Sequence, residues 1–285
     1  RVCSRYLPKF TGEDPRKVPM KIFPGVHYSM GGAWVDWPAA DDPDRMTRFR
    51  QMTNLPGLFN CGESDFEFHG ANRLGANSLL SCIFSGLVAG EEAERYIGML
   101  KCSYSTLKDR IFQDAVAREE GIKKEMLSRN GKENVHQLHD KLADWMVRNV
   151  TVERNEKDLQ RTYEKILELK ERSKHISLDD RSPFANQTYQ FALQFEPMLD
   201  LALVITKGAM LRHEFRGSHY MPAYPERDDI NWLKTTIASY KNGEPEISYR
   251  PVDTRHLDPV KRDYTVAKKG APTLKNIPEK IPLIV

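Results

Sequence analysis

His69-Gly70-Ala71-Asn72-Arg73-Leu74-Gly75-Ala76-Asn77-Ser78-Leu79-Leu80 changes character halfway along. Its first half is a glycine-containing loop. From Gly75 onward Leu79, Leu80, Ile83, Phe84, Leu87 and Val88 recur at helical spacing, which predicts a helix of about 22 residues. Ser81, Ser85, Gly86, Ala89 and Gly90 lie among them, and such small residues let a helix pack closely. Just upstream, Asn54-Leu55-Pro56-Gly57 reads as a turn, and Leu58-Phe59-Asn60-Cys61-Gly62 as a short buried strand that runs into Glu63. Strand, glycine loop and helix in that order expose a helix N-terminus to an anionic or electron-rich ligand.

The residues around that junction are the candidates for chemistry. Free amides near Ser78 and Leu79 supply hydrogen bonds and the positive end of the helix dipole, about half a charge. Glu63, at the end of the strand, is placed to accept hydrogen bonds from ligand hydroxyls; a solvated carboxylate beside a helix cap fits the spacing equally. The Arg73 guanidinium suits a carboxylate held by two parallel hydrogen bonds, although a loop arginine more often makes a structural ion pair. His27 stands near Gly25, Gly31 and Gly32 with Tyr28 and Met30, where backbone is expected to pack closely against something other than side chains, a cofactor being one candidate. His69 is expected to orient the glycine loop by bonding to backbone. His136 and His139 read as surface residues, with no Cys or carboxylate at metal-ligand spacing.

Elsewhere, residues 1–26 read as irregular connecting structure ending in the apolar step Met20-Lys21-Ile22-Phe23-Pro24, and Asp41 to Arg50 as a polar surface insertion. Amphipathic helices are predicted over 105–128, 133–149 and 155–173, the second carrying Val135, Leu138, Leu142, Trp145 and Met146 on one face. They should form an antiparallel bundle. A fourth helix, 186–213, completes its core with Phe191, Phe195, Met198, Leu199, Ala202, Ile205 and Ala209. Beyond Gly217 the chain is rich in Pro and charge, with strands predicted at Glu246 to Arg250 and Lys280 to Val285.

Composition excludes several classes. The 43 basic and 40 acidic residues are spread along the 285-residue chain for a net charge of +3, so there is no concentrated field for nucleic acid. No apolar stretch reaches the roughly eighteen residues needed to span a bilayer. The four cysteines, Cys3, Cys61, Cys82 and Cys102, form no C-x-x-C pair, which suits a reducing compartment and excludes an iron–sulfur or zinc cluster built from this chain alone. With no initiator Met and no recognisable start to a domain, the chain is expected to be a fragment.

His27-Tyr28-Ser29-Met30-Gly31-Gly32, Leu58-Phe59-Asn60-Cys61-Gly62-Glu63 and the block from His69 to Leu80 are similar, in order and distance, to three successive motifs of the succinate dehydrogenase and fumarate reductase flavoproteins. The resemblance continues through Arg212-His213-Glu214-Phe215-Arg216-Gly217-Ser218-His219-Tyr220, Tyr224-Pro225-Glu226-Arg227-Asp228-Asp229 and Asn231-Trp232-Leu233, and so covers nearly the whole chain. It implies an α/β, Rossmann-like FAD-binding domain whose N-terminal half is absent, followed by an α-helical bundle and a small irregular or β C-terminal region. The implied boundaries are 1–26 for the end of a capping domain, 27–101 for the FAD-binding part, 102–230 for the bundle and 231–285 for the rest.

By motif position, the resemblance implies that His27 and Arg73 hold a succinate or fumarate dicarboxylate and that Glu63, Ser78 and Leu79 bind FAD. A proton-shuttling arginine is expected upstream, since neither Arg1 nor Arg5 occupies its motif. The implied partners are an iron–sulfur subunit and a membrane anchor of the cytochrome b type, with the protein peripheral on the cytoplasmic face of the inner membrane. Met221 stands where relatives place a basic residue. L-Aspartate oxidase shares the superfamily motifs, and a non-catalytic docking module is a reading from a different class.

Overall fold

A computed structural model describes residues 9–14, 17–18, 27–255 and 258–260. The apolar step at 20–24 and the strand expected at 280–285 lie outside them.

The first described body is a knot of backbone between 27 and 65, held against one long helix. Ala33 N–H donates to Ser64 O at 2.8 Å, Asp36 N–H to Met52 O at 2.8 Å and Asn60 N–H to Gln51 O at 2.9 Å. Val35, Phe49 and Gln51 are buried inside it. The strand expected at 58–62 does not form: Phe59 makes one isolated antiparallel bridge to Met52, Leu58 is 52% exposed, and Gly62–Ser64 turns as a 3-10 helix. A strand needs a continuous partner edge, and none lies beside it among the described residues.

The segment 41–50, expected as a loose surface insertion, is clamped instead. Arg48 donates to Asp36 and Asp42, Arg45 pairs with the buried Glu92, and Arg95 donates to Arg45 O, Met46 O and Arg48 O at 2.6–3.2 Å while stacking over buried Phe49. Arg45 looked solvated because its partner Glu92 lies 47 residues away in sequence.

Helix α1 (Asn77–Met99) starts where the periodicity places it. Its small residues make the packed face, with Ser81, Ser85 and Ala89 buried. Gly62 N–H donates to Ser85 Oγ at 2.8 Å. Leu79, Leu80, Ile83 and Leu87 face outward, 63–74% exposed.

Helices α2 (Asp109–Ser128), α3 (Val135–Asn149), α4 (Glu156–Ser173) and α5 (Gln187–Met210) follow. Asn134, Asn155 and Asn186 cap the last three, each side chain accepting from first-turn amides, worth about 1 kcal/mol apiece. Leu138, Leu142, Ile166, Leu169, Phe195, Leu199 and Leu203 interlock as the core. The expected bundle therefore consists of α3, α4 and α5. In α2 only Met126 is buried, while Ile111, Phe112 and Val116 stay exposed. Ile205, assigned to the core from spacing, is also exposed; at 100° per residue it lies about 160° round the helix from buried Leu203.

A one-turn helix α6 (Asp229–Trp232) leads into an antiparallel hairpin, β1 (Lys234–Lys241) with β2 (Glu244–Pro251). The sequence reading found the second strand and missed the first. Asn242 and Gly243, both at positive φ, close the turn, the Asn-Gly pair that such hairpins favour.

Candidate functional site

The site lies at the N-terminal mouth of α1. Ala76, the residue before the helix, is left-handed at φ 67° and no side chain caps the helix. The amides of Ser78 and Leu79 consequently carry no acceptor among the described residues, while Asn77 N–H turns back to Leu74 O. An uncapped helix start leaves donors and a partial positive charge facing outward.

Four of the five residues singled out from sequence converge on that mouth through direct bonds or adjacency. Arg73 Nη2 lies 3.4 Å from His27 Nδ1, and since a guanidinium only donates, Nδ1 is the acceptor. The Arg73 guanidinium sits 5.7 Å over the Tyr28 ring. Glu63 is exposed and accepts from Ser29 N–H at 2.9 Å, which ties the segment carrying His27 to the 3-10 turn at Gly62–Ser64. Ser78 opens α1 beside this loop. Leu79, the fifth, contributes its amide, its side chain being 74% exposed.

Beneath them lies a small polar core that sequence reasoning did not find. Ser81 Oγ donates its one proton to Ser78 O at 2.7 Å. His69 Nε2, 2.9 Å away, and the Tyr28 hydroxyl, 3.2 Å away, must then both donate to that oxygen. His69 thus braces the first turn of α1 through a side chain, not through loop backbone as expected, because the loop doubles back over Ser81. Burial pushes the Tyr28 hydroxyl above its usual range. The signal was available: Tyr28 is adjacent to His27, and Ser81 stands one helical turn past Ser78.

Gly32 marks a close approach of backbone to backbone, as its neighbourhood suggested. A Cβ there would sit 2.2 Å from Ser64 O, so the glycine seats the His27 segment on the Glu63 turn. Gly31, by contrast, borders open space. Under this turn Asp65 accepts from Gln51 Nε2 at 2.7 Å, and burial pushes the carboxyls of Asp65 and Glu67 upward.

The helical region meets the Arg73 loop where Ser218 N–H donates to Ala71 O at 3.3 Å. Buried Glu214 receives Arg212 Nε at 2.9 Å, Arg216 Nε at 2.7 Å and Asp228 N–H at 3.2 Å. Arg216 and His219 exchange both backbone hydrogen bonds, at 3.1 and 3.0 Å, closing a tight turn at Gly217. His219 is locked as one tautomer: Nδ1 accepts from Arg154 at 2.6 Å and Nε2 donates to Arg212 O at 2.8 Å. Burial and the neighbouring Arg154 pull its pKa down to about 4. Met221 is wholly buried against Val150, Leu159 and Ala209, so this position is apolar packing here. His136 stacks on Phe191 with ring centroids 4.6 Å apart, and no metal-binding group of His, Cys, Asp or Glu occurs among the described residues.

Two family models match the chain: an FAD binding domain over residues 3–79 and the fumarate reductase flavoprotein C-terminal domain over residues 139–264. The succinate dehydrogenase flavoprotein subunit of Bacillus subtilis is 48% identical over 262 residues, covering 91% of this chain and 43% of the relative. The fumarate reductase flavoprotein subunit of Haemophilus influenzae is 36% identical over 257 residues, covering 90% and 40%. Among solved structures, the FrdA chain of a mutant E. coli quinol fumarate reductase superposes with a TM-score of 0.77 at 30% identity, over 92% of this chain and 43% of that one. These matches place the chain among the flavoproteins. Within that class the chain belongs to the succinate dehydrogenase and fumarate reductase flavoprotein family, and it spans about two fifths of the length of the relatives it matches.

Proposed function

We propose that this protein interconverts succinate and fumarate on FAD, with His27 and Arg73 holding the dicarboxylate and Glu63, Ser78 and Leu79 holding the flavin. The observation that carries it is the pairing of Arg73 with His27 at 3.4 Å beside an uncapped helix start. The donor set suits the cofactor: two amides with no acceptor among the described residues for an electron-rich ring edge, an exposed carboxylate for hydroxyl groups, and backbone brought close by Gly32.

When bound, FAD supplies the acceptor for a hydride from one methylene of succinate. Arg73 presents two parallel donors to a substrate carboxylate, each charge-assisted bond contributing about 1.5–3 kcal/mol. The stack on Tyr28 and the contact with His27 limit where that guanidinium points. His27 keeps its Nε2 proton while Nδ1 accepts from Arg73, so it offers a neutral donor to the same carboxylate. Holding that carboxylate polarised would acidify the proton on the adjacent carbon.

The same proposal divides the chain into the end of a capping domain (1–26), an α/β FAD-binding remnant (27–101), a bundle domain (102–230) and a C-terminal region (231–285). An iron–sulfur subunit and a cytochrome b-type anchor would take the electrons, with the protein peripheral on the cytoplasmic face of the inner membrane. No helix among the described residues is long and apolar enough to cross a bilayer.

Anaerobic titration of the flavin absorbance of the full-length protein, separately with succinate and with L-aspartate, tests this directly. Bleaching by succinate alone is expected. Bleaching by aspartate would replace the proposal with an aspartate oxidase, and a protein without flavin would leave a docking module.

A further inference from the structure

The loop that carries Arg73 has little to hold it. Gly70, Ala71 and Asn72 are exposed, and Gly70 and Ala76 both adopt positive φ. Among the described residues, the hydrogen bond that reaches its backbone from another element is Ser218 N–H to Ala71 O, at 3.3 Å. That donor sits in the Gly217 turn, whose ends are pinned by the mutual Arg216 and His219 bonds and whose base is the Glu214 ion cluster. At Gly217 the fit is backbone on backbone: φ is +61°, and a Cβ would lie 2.1 Å from Ala71 O and 2.8 Å from Ala71 Cβ. Since Ala71 is two residues from Arg73, a shift of its carbonyl moves the guanidinium relative to His27.

We propose that the Gly217-Ser218 turn is a positioning element for the substrate site: it holds the Ala71 carbonyl, and through it the height of Arg73, from the helical side of the molecule. The proposal rests on the dicarboxylate role proposed for Arg73. Gly217 and Ser218 touch no substrate themselves. Coupling of this kind is reciprocal, so occupancy of the Arg73 site in turn steadies the turn.

The test compares Gly217→Ala with Gly243→Ala in the full-length, flavin-loaded protein. Gly243 has φ +85° and nothing within 4 Å of its would-be Cβ, so its variant carries the left-handed strain without the collision. Malonate, a dicarboxylate with no adjacent carbon pair to dehydrogenate, serves as a binding probe by calorimetry. For Gly217→Ala the malonate Kd and the succinate KM should rise about tenfold, the loss of one well-placed hydrogen bond, with kcat within about twofold and flavin content unchanged. Gly243→Ala should match the parent in all four.

Equal malonate affinity in the two variants overturns the positioning role and leaves the dicarboxylate site standing. A parent protein that fails to bind malonate overturns the site, and this inference with it. Hydrogen exchange on the unmodified parent needs no variant to fold: malonate should slow exchange of the Ser218 amide, and unchanged exchange there refutes the coupling.

Discussion

Arg216 grips Glu214 by both carboxylate oxygens, Nε donating to one at 2.7 Å and Nη2 to the other at 2.9 Å, with the carboxylate fully out of solvent. Arg212 reaches the same carboxylate and also donates to Trp232 O and Lys234 O. One acidic side chain thus ties the end of the bundle to the start of the hairpin. Replacing Glu214 by Ala removes the acceptor these two guanidinium groups share, leaving Arg216 with Asp229 and Arg212 with its backbone carbonyls, and should destabilise the protein by about 1–3 kcal/mol. Urea denaturation measures this, and a loss under about 1 kcal/mol would mean the cluster is effectively solvated.

His219 makes stability depend on mild acid. Its folded pKa of about 4 lies below the ordinary value of 6.5, so between these two pH values the unfolded chain binds a proton that the native state refuses. The contribution is complete above pH 6.5 and is lost progressively as pH falls to about 4, amounting to about 3 kcal/mol. His219→Gln should flatten that part of the stability profile. An unchanged slope in the variant assigns the acid sensitivity elsewhere.

If Arg73 holds the substrate as proposed, Arg73→Ala should cut succinate oxidation about a hundredfold or more for a lost bidentate contact, with FAD still bound, since the Ser78 and Leu79 amides proposed to hold it are untouched. Arg73→Lys keeps the charge but not the fork and should recover little. Flavin-replete Arg73→Ala turning over at the parent rate would remove this residue from the substrate site.

Glu92 is buried and receives Arg45 and Arg95. Burial pushes its carboxyl up, yet the hydrogen bonds from those two arginines outweigh it and hold the carboxyl below its usual 4.5. Its contribution is present above that value and fades as pH falls through the lowered one. Glu92→Ala should cost about 3 kcal/mol or more and expose residues 42–48 to limited proteolysis. A protease pattern identical to the parent would show that Arg48 and the bonds from Arg95 to backbone retain the segment without Glu92.

Local signals were legible where the physics is local. The start of α1 and the core positions Leu138 and Leu142 follow from spacing over a few residues. What escaped depends on remote partners. The Leu58 run has strand composition but, among the described residues, no continuous edge to pair with, α2 has a helical stripe that only Met126 puts to use, and Arg45 looks solvated until Glu92 is folded beside it. At the candidate site, periodicity and motif named Glu63, Arg73 and His27, because charge in a glycine loop stands out. Tyr28 and Ser81 passed unnoticed, since a buried hydroxyl on a helix looks like any small residue until its three bonds are counted.

At Gly32, Gly131 and Gly217 an added Cβ would meet the carbonyl oxygens of Ser64, His175 and Ala71 at 2.2, 1.6 and 2.1 Å. These are joints in the carpenter's sense: two lengths of main chain meet flush, and nothing thicker than hydrogen fits the seam. A saturation library would therefore show three columns that reject even alanine in otherwise permissive loops, so that mutational tolerance along this chain maps where its pieces are fastened as much as where its chemistry lies.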